Sequence, residues 1–279
     1  MSRRVVVVAV LLVVFLVAFI LPFVQRARLN ANLAASRFNL GQLAFFAGHN
    51  TNPQRIREAD KIPAEIPAGT IVLPGVPVEN RLSWAVPVLP WLTQKNLADA
   101  QLLQRIDITQ PWSAERNQEA GRVVVPVFLC PGNTFQVPAG SPAITCYVGI
   151  AGLGPDAATL PLPANAPPSP RAGAFRYDAP TPFDRITDGL SQTLLMGETA
   201  DSPGPWLRGG VSTVRGFDDA PGARPLIGGG GQFGGFFPGG ANFALCDGSV
   251  RMFTPQTTPG MLLGMATIAG GANEIGPTD

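Results

Sequence analysis

The chain has 279 residues, of which 14% are charged, and a net charge of +1, so no basic footprint for nucleic acid is present. Its 32 glycines and 29 prolines, many of them after residue 130, point to strands and turns rather than a helical bundle. Beyond the N-terminal apolar run, roughly 230 residues remain, enough for one large domain or two small ones.

Val5–Val24 reads VVVVAVLLVVFLVAFILPFV and contains no polar side chain. At about 1.5 Å per residue, such a run covers the roughly 30 Å hydrocarbon core of a bilayer. Lipid offers no partner to an extended backbone, so helix is expected despite the β-branched bias. The run exceeds the apolar region of about 7–15 residues of a secretory signal. Gln25–Leu29 also offers no small-x-small cleavage site, which favours a retained anchor. Arg3 and Arg4 favour a cytoplasmic N-terminus, whereas Arg26, Arg28 and Arg37 oppose it. The content of the remaining chain tips the reading toward export: single-pass in the inner membrane, with the body outside the cytoplasm.

From Gln25 to about Ala47 the chain is rich in helix formers, and Leu29, Leu33, Leu40 and Leu43 keep helical spacing. Pro22 is expected to kink this helix rather than end it. Residues 49–80 read as irregular, punctuated by prolines, with a short strand at Ile71–Leu73. Leu82–Leu103 is helix-like, with Ser83 as its cap and breaks at Pro87 and Pro90. Val123–Cys130 and Ala143–Ile150 read as strands that pair as neighbours. Gly154–Arg171 is a Pro/Ala-rich surface loop, Thr187 or Asp188 caps a turn, and Thr193–Gly197 is a buried strand. The glycines from 228 to 235 form a flexible loop without the Lys-Ser/Thr ending of a phosphate-binding loop.

Asn242–Phe253 (NFALCDGSVRMF) predicts a hairpin closed by a two-residue Asp247-Gly248 turn. Pairing outward sets Leu245 opposite Val250 and Phe243 opposite Met252, which places these four on one apolar face. Asp247 then belongs to the turn rather than to a catalytic site.

Chemistry-bearing residues are few. His49 is the one histidine and no nucleophile-elbow motif accompanies it, so a Ser-His-Asp site is not supported. One histidine and three scattered cysteines make a poor zinc set. Asp184, Asp188, Asp218 and Asp219 lack calcium-loop spacing and read as loop solvation. Glu198 ends an apolar strand and is expected to be partly buried beside an arginine. Cys130 and Cys146 have two readings: a disulfide contributing about 3 kcal/mol in an oxidising compartment, or buried free thiols. No catalytic residue, cofactor or metal ligand is assigned.

Several segments in order carry a resemblance. They include Leu21-Pro22-Phe23-Val24-Gln25-Arg26-Ala27-Arg28, Asn39-Leu40-Gly41-Gln42-Leu43 and His49-Asn50. Further along come Ser83-Trp84, Pro111-Trp112, Phe128-Leu129-Cys130-Pro131, Tyr147-Val148-Gly149 and Ile186–Ser191. Met196-Gly197-Glu198 and Pro238–Asn242 complete the set. Through them the chain resembles the bacterial family called domain of unknown function 1559, abundant in planctomycetes, whose members begin like type IV prepilins. Two family features differ. Phe237 stands where the family's histidine precedes nine residues and Asp-Gly, and the prepilin cleavage glycine and fifth-position glutamate are absent.

The resemblance implies a pilin-like α+β fold. Residues 1–48 would form a transmembrane and extended helix, and residues 49–279 an exported domain built on an antiparallel sheet with long Gly/Pro loops. The expected function is a pseudopilin-like structural or interaction protein of the envelope, without catalysis. Its partners would be the membrane and other envelope or secretion-system proteins. The alternative is an exported module whose 204–240 loops bind a glycan or peptide, and an envelope hydrolase stands last.

Overall fold

The computed structural model describes residues 3–49, 65–92 and 97–270, and the following statements concern those residues. Helix α1 runs unbroken from Arg3 to His49 and passes through Pro22. Neighbouring turns accommodate the missing donor without ending the helix. The two halves of α1 differ in surroundings. Phe15, Phe19 and Phe23 in the first half are 62–71% exposed. In the second half Ser36, Leu40, Leu43, Ala44 and Ala47 are all buried. Their spacing of three and four residues lines one helix face, and burying Leu40 and Leu43 contributes roughly 1.5–3 kcal/mol each. The rest of the His49-Asn50 pair, Asn50, lies outside the described residues, as does the proline-rich stretch 51–64.

Seven strands form two sheets. The small one pairs β1 (Glu65–Ile66) with β3 (Thr181–Pro182). The large one comprises β2 (Tyr147–Leu153), β4 (Leu194–Glu198), β5 (Val214–Phe217), β6 (Ala241–Leu245) and β7 (Val250–Phe253). Its order is β5-β2-β4-β6-β7, and α1 lies against β6, β4 and β7. The layout is α+β as expected, but the sheet is mixed rather than antiparallel, because β5 runs parallel to β2. That pairing joins segments more than sixty residues apart, too long a connection for a hairpin to impose antiparallel order.

The sheet separates two cores. On the α1 side lie Trp84, Phe128, Tyr147, Phe175, Met196 and Ala244. On the far side Phe217, Phe233, Phe243 and Phe253 interlock, with successive ring centroids 4.5–5.6 Å apart, over α5 (Pro259–Met265). Three short helices flank this body: α2 (Ala85–Leu92), α3 (Leu97–Arg105) and α4 (Glu115–Gly121). Pro87 and Pro90 both fall within α2 rather than breaking it, and Ser83 Oγ accepts from the Ala85 amide at 3.2 Å. Pro87 sits in the first turn, where no intrahelical donor is required.

Other local expectations need correction. Ile71–Leu73 is not a strand. Val123–Cys130 contains a 3-10 turn at Pro126–Phe128, since proline cannot donate to a ladder; even so, the segment meets its predicted neighbour, because the Cys146 amide donates to Phe128 O. The 154–171 insertion is not wholly a surface loop, as Ala157 and Ala158 are buried. Nor is the 228–235 glycine run loose. The amides of Gly228 and Gly234 donate to Phe233 and Glu198 carbonyls, and the Phe233 ring between them is buried.

The C-terminal hairpin exists, but its register is shifted by one residue. Ala244 pairs with Val250 and Asn242 with Met252, while Leu245 accepts the Gly248 amide and donates to Ser249. The loop therefore holds three residues, Cys246 to Gly248, with Gly248 at φ +84°. The slip moves Val250 and Met252 to the α1 side, against Gly41 and the first core. Asp247 Oδ1 caps Ser249, 2.9 Å from its amide and 2.6 Å from its hydroxyl. Gly248→Val is expected to cost about 1–3 kcal/mol through positive φ alone, since nothing lies within 4 Å of the added Cβ. Asp247→Asn keeps the cap and should melt within about 1 °C of wild type. Thermal melts that reversed this ranking would contradict the turn reading.

Candidate functional site

Strand pairing assembles a polar row that no local motif announces. Tyr147 of β2 pairs with Glu198 of β4, and the Asn242 side chain of β6 reaches the same carboxylate. A register shift between Leu194 and Met196 puts Leu195 and Met196 on the α1 side, so Glu198 also faces α1. Ser36 closes the row from above.

Glu198 is fully buried and well supplied with donors. The Asn242 amide donates to Oε2 at 2.8 Å, and Asn242 Nδ2 lies 3.0 Å from both carboxylate oxygens. Ser36 Oγ donates to Oε1 and lies 2.8 Å from Tyr147 Oη. The expected arginine is present at one remove: Arg37 Nε donates to Asn242 Oδ1 at 3.1 Å rather than to Glu198. Burial holds the Glu198 carboxyl above its ordinary range, although the Asn242 and Ser36 hydrogen bonds and the Arg37 charge pull the other way. A carboxylate sealed beneath α1 meets no solute unless the helix lifts. Its geometry suits a clamp that fixes the rotation and height of α1 on the sheet.

All three cysteines are buried free thiols, so the structure takes the unlinked alternative. Cys130 and Cys146 sit beside the row, and burial, aided by the Glu198 charge, pushes both thiols up to about 12. Cys246 is also raised, chiefly by burial. The native protein is therefore expected to resist alkylation at pH 8 and to take up three equivalents after denaturation, as read by intact mass. Rapid native labelling of Cys130 or Cys146 would contradict this packing. Phe237, at the position of the family histidine, is buried, and a Cβ added at Gly132, two residues from Cys130, would lie 3.2 Å from its ring.

The remaining candidates disperse. Asp188 Oδ2 accepts from the Gly270 amide and Asp218 Oδ1 from the Ala220 amide, so both serve loop closure. Among the described residues, no three His, Cys, Asp or Glu side chains gather as a metal set.

Two surfaces take their shape only from the fold. On α1, opposite its buried face, Phe38 and Phe45 are 66% and 51% exposed. They line a groove of about 560 Å³ that reaches the Asp247-Gly248 turn. A second cleft, of about 540 Å³, opens beside β5 and is lined by Arg208, Val211, Ser212 and Arg215, with Asp201 and Pro205.

The family model described as protein of unknown function (DUF1559) matches residues 63–223, more than half of the chain. The chain belongs to the DUF1559 family. No curated protein and no solved structure matches it. The DUF1559 segment contains every residue lining the β5 cleft, from Pro155 to Asp218, together with Tyr147 and Glu198. Ser36 and Asn242, which complete the clamp, lie outside the matched segment. One described helix is long and apolar enough to cross a membrane, and a signal sequence would pass the same test.

Proposed function

We propose that this DUF1559 protein is a membrane-anchored, pseudopilin-like structural or interaction protein of the cell envelope. The observation that carries the reading is the division of α1. Its first half is apolar and exposed, whereas its second half is clamped to the sheet through Ser36, Glu198 and Asn242. A lipid-embedded first half would hold the body at a fixed height and rotation outside the inner membrane. The exposed Phe38 and Phe45 then give the helix an apolar face, outside the bilayer and beside the body, for another envelope protein. Pilin likeness rests on this helix-over-sheet arrangement. A ligand-binding role, the alternative, has the cleft beside β5 in its favour.

The test uses the full chain in its native membranes. Carbonate washing should leave it in the pellet, because hydrophobic insertion is insensitive to screening. A photo-reactive side chain at Phe45 should form adducts with envelope proteins, and one at Val137, a 41% exposed loop residue, should not. Release by carbonate, a mature N-terminus beyond Val24, or equal labelling from both positions would overturn the proposal.

A further inference from the structure

We infer that the cleft beside β5 binds a small organic carboxylate carried on an apolar body. This rests on the ligand-binding reading and is independent of the membrane anchor. Two guanidinium groups line the cleft, and backbone carbonyls hold each of them by Nε. Arg215 donates from Nε to Val211 O at 3.1 Å, from Nη1 to Asp201 O at 3.1 Å and from Nη2 to Ser202 O at 3.3 Å. Arg208 donates from Nε to Glu79 O at 3.1 Å, and its guanidinium carbon stands 5.5 Å from the centre of the Trp112 ring. With Nε fixed and one face covered, the Arg208 terminal amino groups form an oriented fork, and among the described residues no protein acceptor takes them.

Of the two acidic residues in the cleft, Asp201 is paired and Asp218 points one oxygen into its own loop. Asp201 is bound by Arg224 at 2.7 Å and stands 3.9 Å from Arg215. Asp218, at the exposed rim, turns Oδ1 to the Ala220 amide of its own loop. The Arg208 fork is the guanidinium end left for a ligand, with the Ser212 side chain also lining the cleft. Pro155, Pro205 and the 56% exposed Val211 supply apolar walls. A volume of about 540 Å³ is in the range of small-molecule sites. Ser202, whose carbonyl holds Arg215, adopts φ +48°, the one non-glycine residue at positive φ among those described. Such strain persists where the surroundings enforce it. Carboxylate on an apolar body describes both a free amino acid derivative and the C-terminal residue of a peptide.

Calorimetric titration of the full chain in detergent micelles tests this with N-acetyl-leucine, its neutral amide, and a pentapeptide ending in a free leucine. The acid should bind at least about tenfold more tightly than the amide, as expected for one charge-assisted fork. Arg208→Gln should remove that preference. Val211→Asp, a change at an exposed position that places a like charge on the wall, should weaken the acid by a similar factor without altering the melt. Arg251→Gln, on the distant edge strand β7, should leave binding unchanged. Tighter binding of the pentapeptide than of the acid would assign the carboxylate to a peptide end, and the reverse order to a free small molecule. Equal binding of acid and amide would overturn the carboxylate assignment alone, whereas no binding of any probe would overturn the ligand-binding reading with it.

Discussion

Glu198→Ala is expected to lower the melting temperature of the body by about 10 °C. The substitution strands the Asn242 amide and Asn242 Nδ2 beneath α1, leaves Ser36 Oγ with Tyr147 Oη as its partner, and opens a cavity in a fully buried site. Buried donors without partners cost about 1–3 kcal/mol each, and the set amounts to on the order of 3–5 kcal/mol. For a body of this size each kcal/mol shifts the midpoint by about 2–4 °C. Glu198→Gln should be far milder, since its oxygen accepts from Asn242 and its amide donates to Ser36 Oγ. The two variants also differ in pH response. Burial raises the folded-state pKa of Glu198 above its unfolded value, so its proton-linked stability is complete below about pH 4.5. That contribution is lost as pH rises through the folded value. Glutamine does not titrate, so wild type should lose ground to Glu198→Gln as pH increases from about 4.5. A melting difference constant from pH 4 to pH 8 would contradict a buried, shifted carboxyl.

Gly152→Ala is expected to be comparably damaging for a steric reason. Gly152 adopts φ +108°, and a Cβ there would lie 1.9 Å from Arg171 O and 2.6 Å from Gly173 N. At this crossing the Leu153 amide donates to Arg171 O and the Gly173 amide to Ala151 O. Strain and overpacking together should cost on the order of 4 kcal/mol. Gly75→Ala provides the control. It shares positive φ, at +73°, but has nothing within 4 Å of the added Cβ, so only about 1 kcal/mol of strain is expected. Equal melts for the two alanine variants would show that the close approach at 152 is absent.

What could be read from sequence was whatever depends on local order. The unbroken helix followed from an apolar run joined to leucines at helical spacing, and β4 from an uninterrupted apolar stretch. The hairpin followed from Asp-Gly between alternating segments, but its register did not. Two-residue and three-residue loops both accept Gly at positive φ, and one residue of loop length exchanges the faces of β7. The clamp was illegible for a different reason. Ser36, Tyr147, Glu198 and Asn242 span more than two hundred positions, and only non-local strand pairing sets them in one row. A buried Glu198 suggests an arginine nearby, and Arg37 acts through Asn242, but the amide and hydroxyl donors that hold the carboxylate carry no charge signature in a sequence. The cleft lies largely within the 204–240 loops singled out for ligand binding, but its arginines are illegible because backbone carbonyls rather than complementary side chains orient them.

The Ser36–Glu198–Asn242 clamp predicts that α1 and the sheet body move as one rigid unit. Electron-spin distance measurement between labels at Arg28, exposed on α1, and Asp219, exposed on the body, addresses it most directly. Native cysteines buried in the fold leave the two engineered thiols as the reactive sites. A rigid unit gives a single narrow distance distribution in membranes, broadened by Glu198→Ala. A broad distribution in the unaltered protein, unchanged by Glu198→Ala, would contradict it.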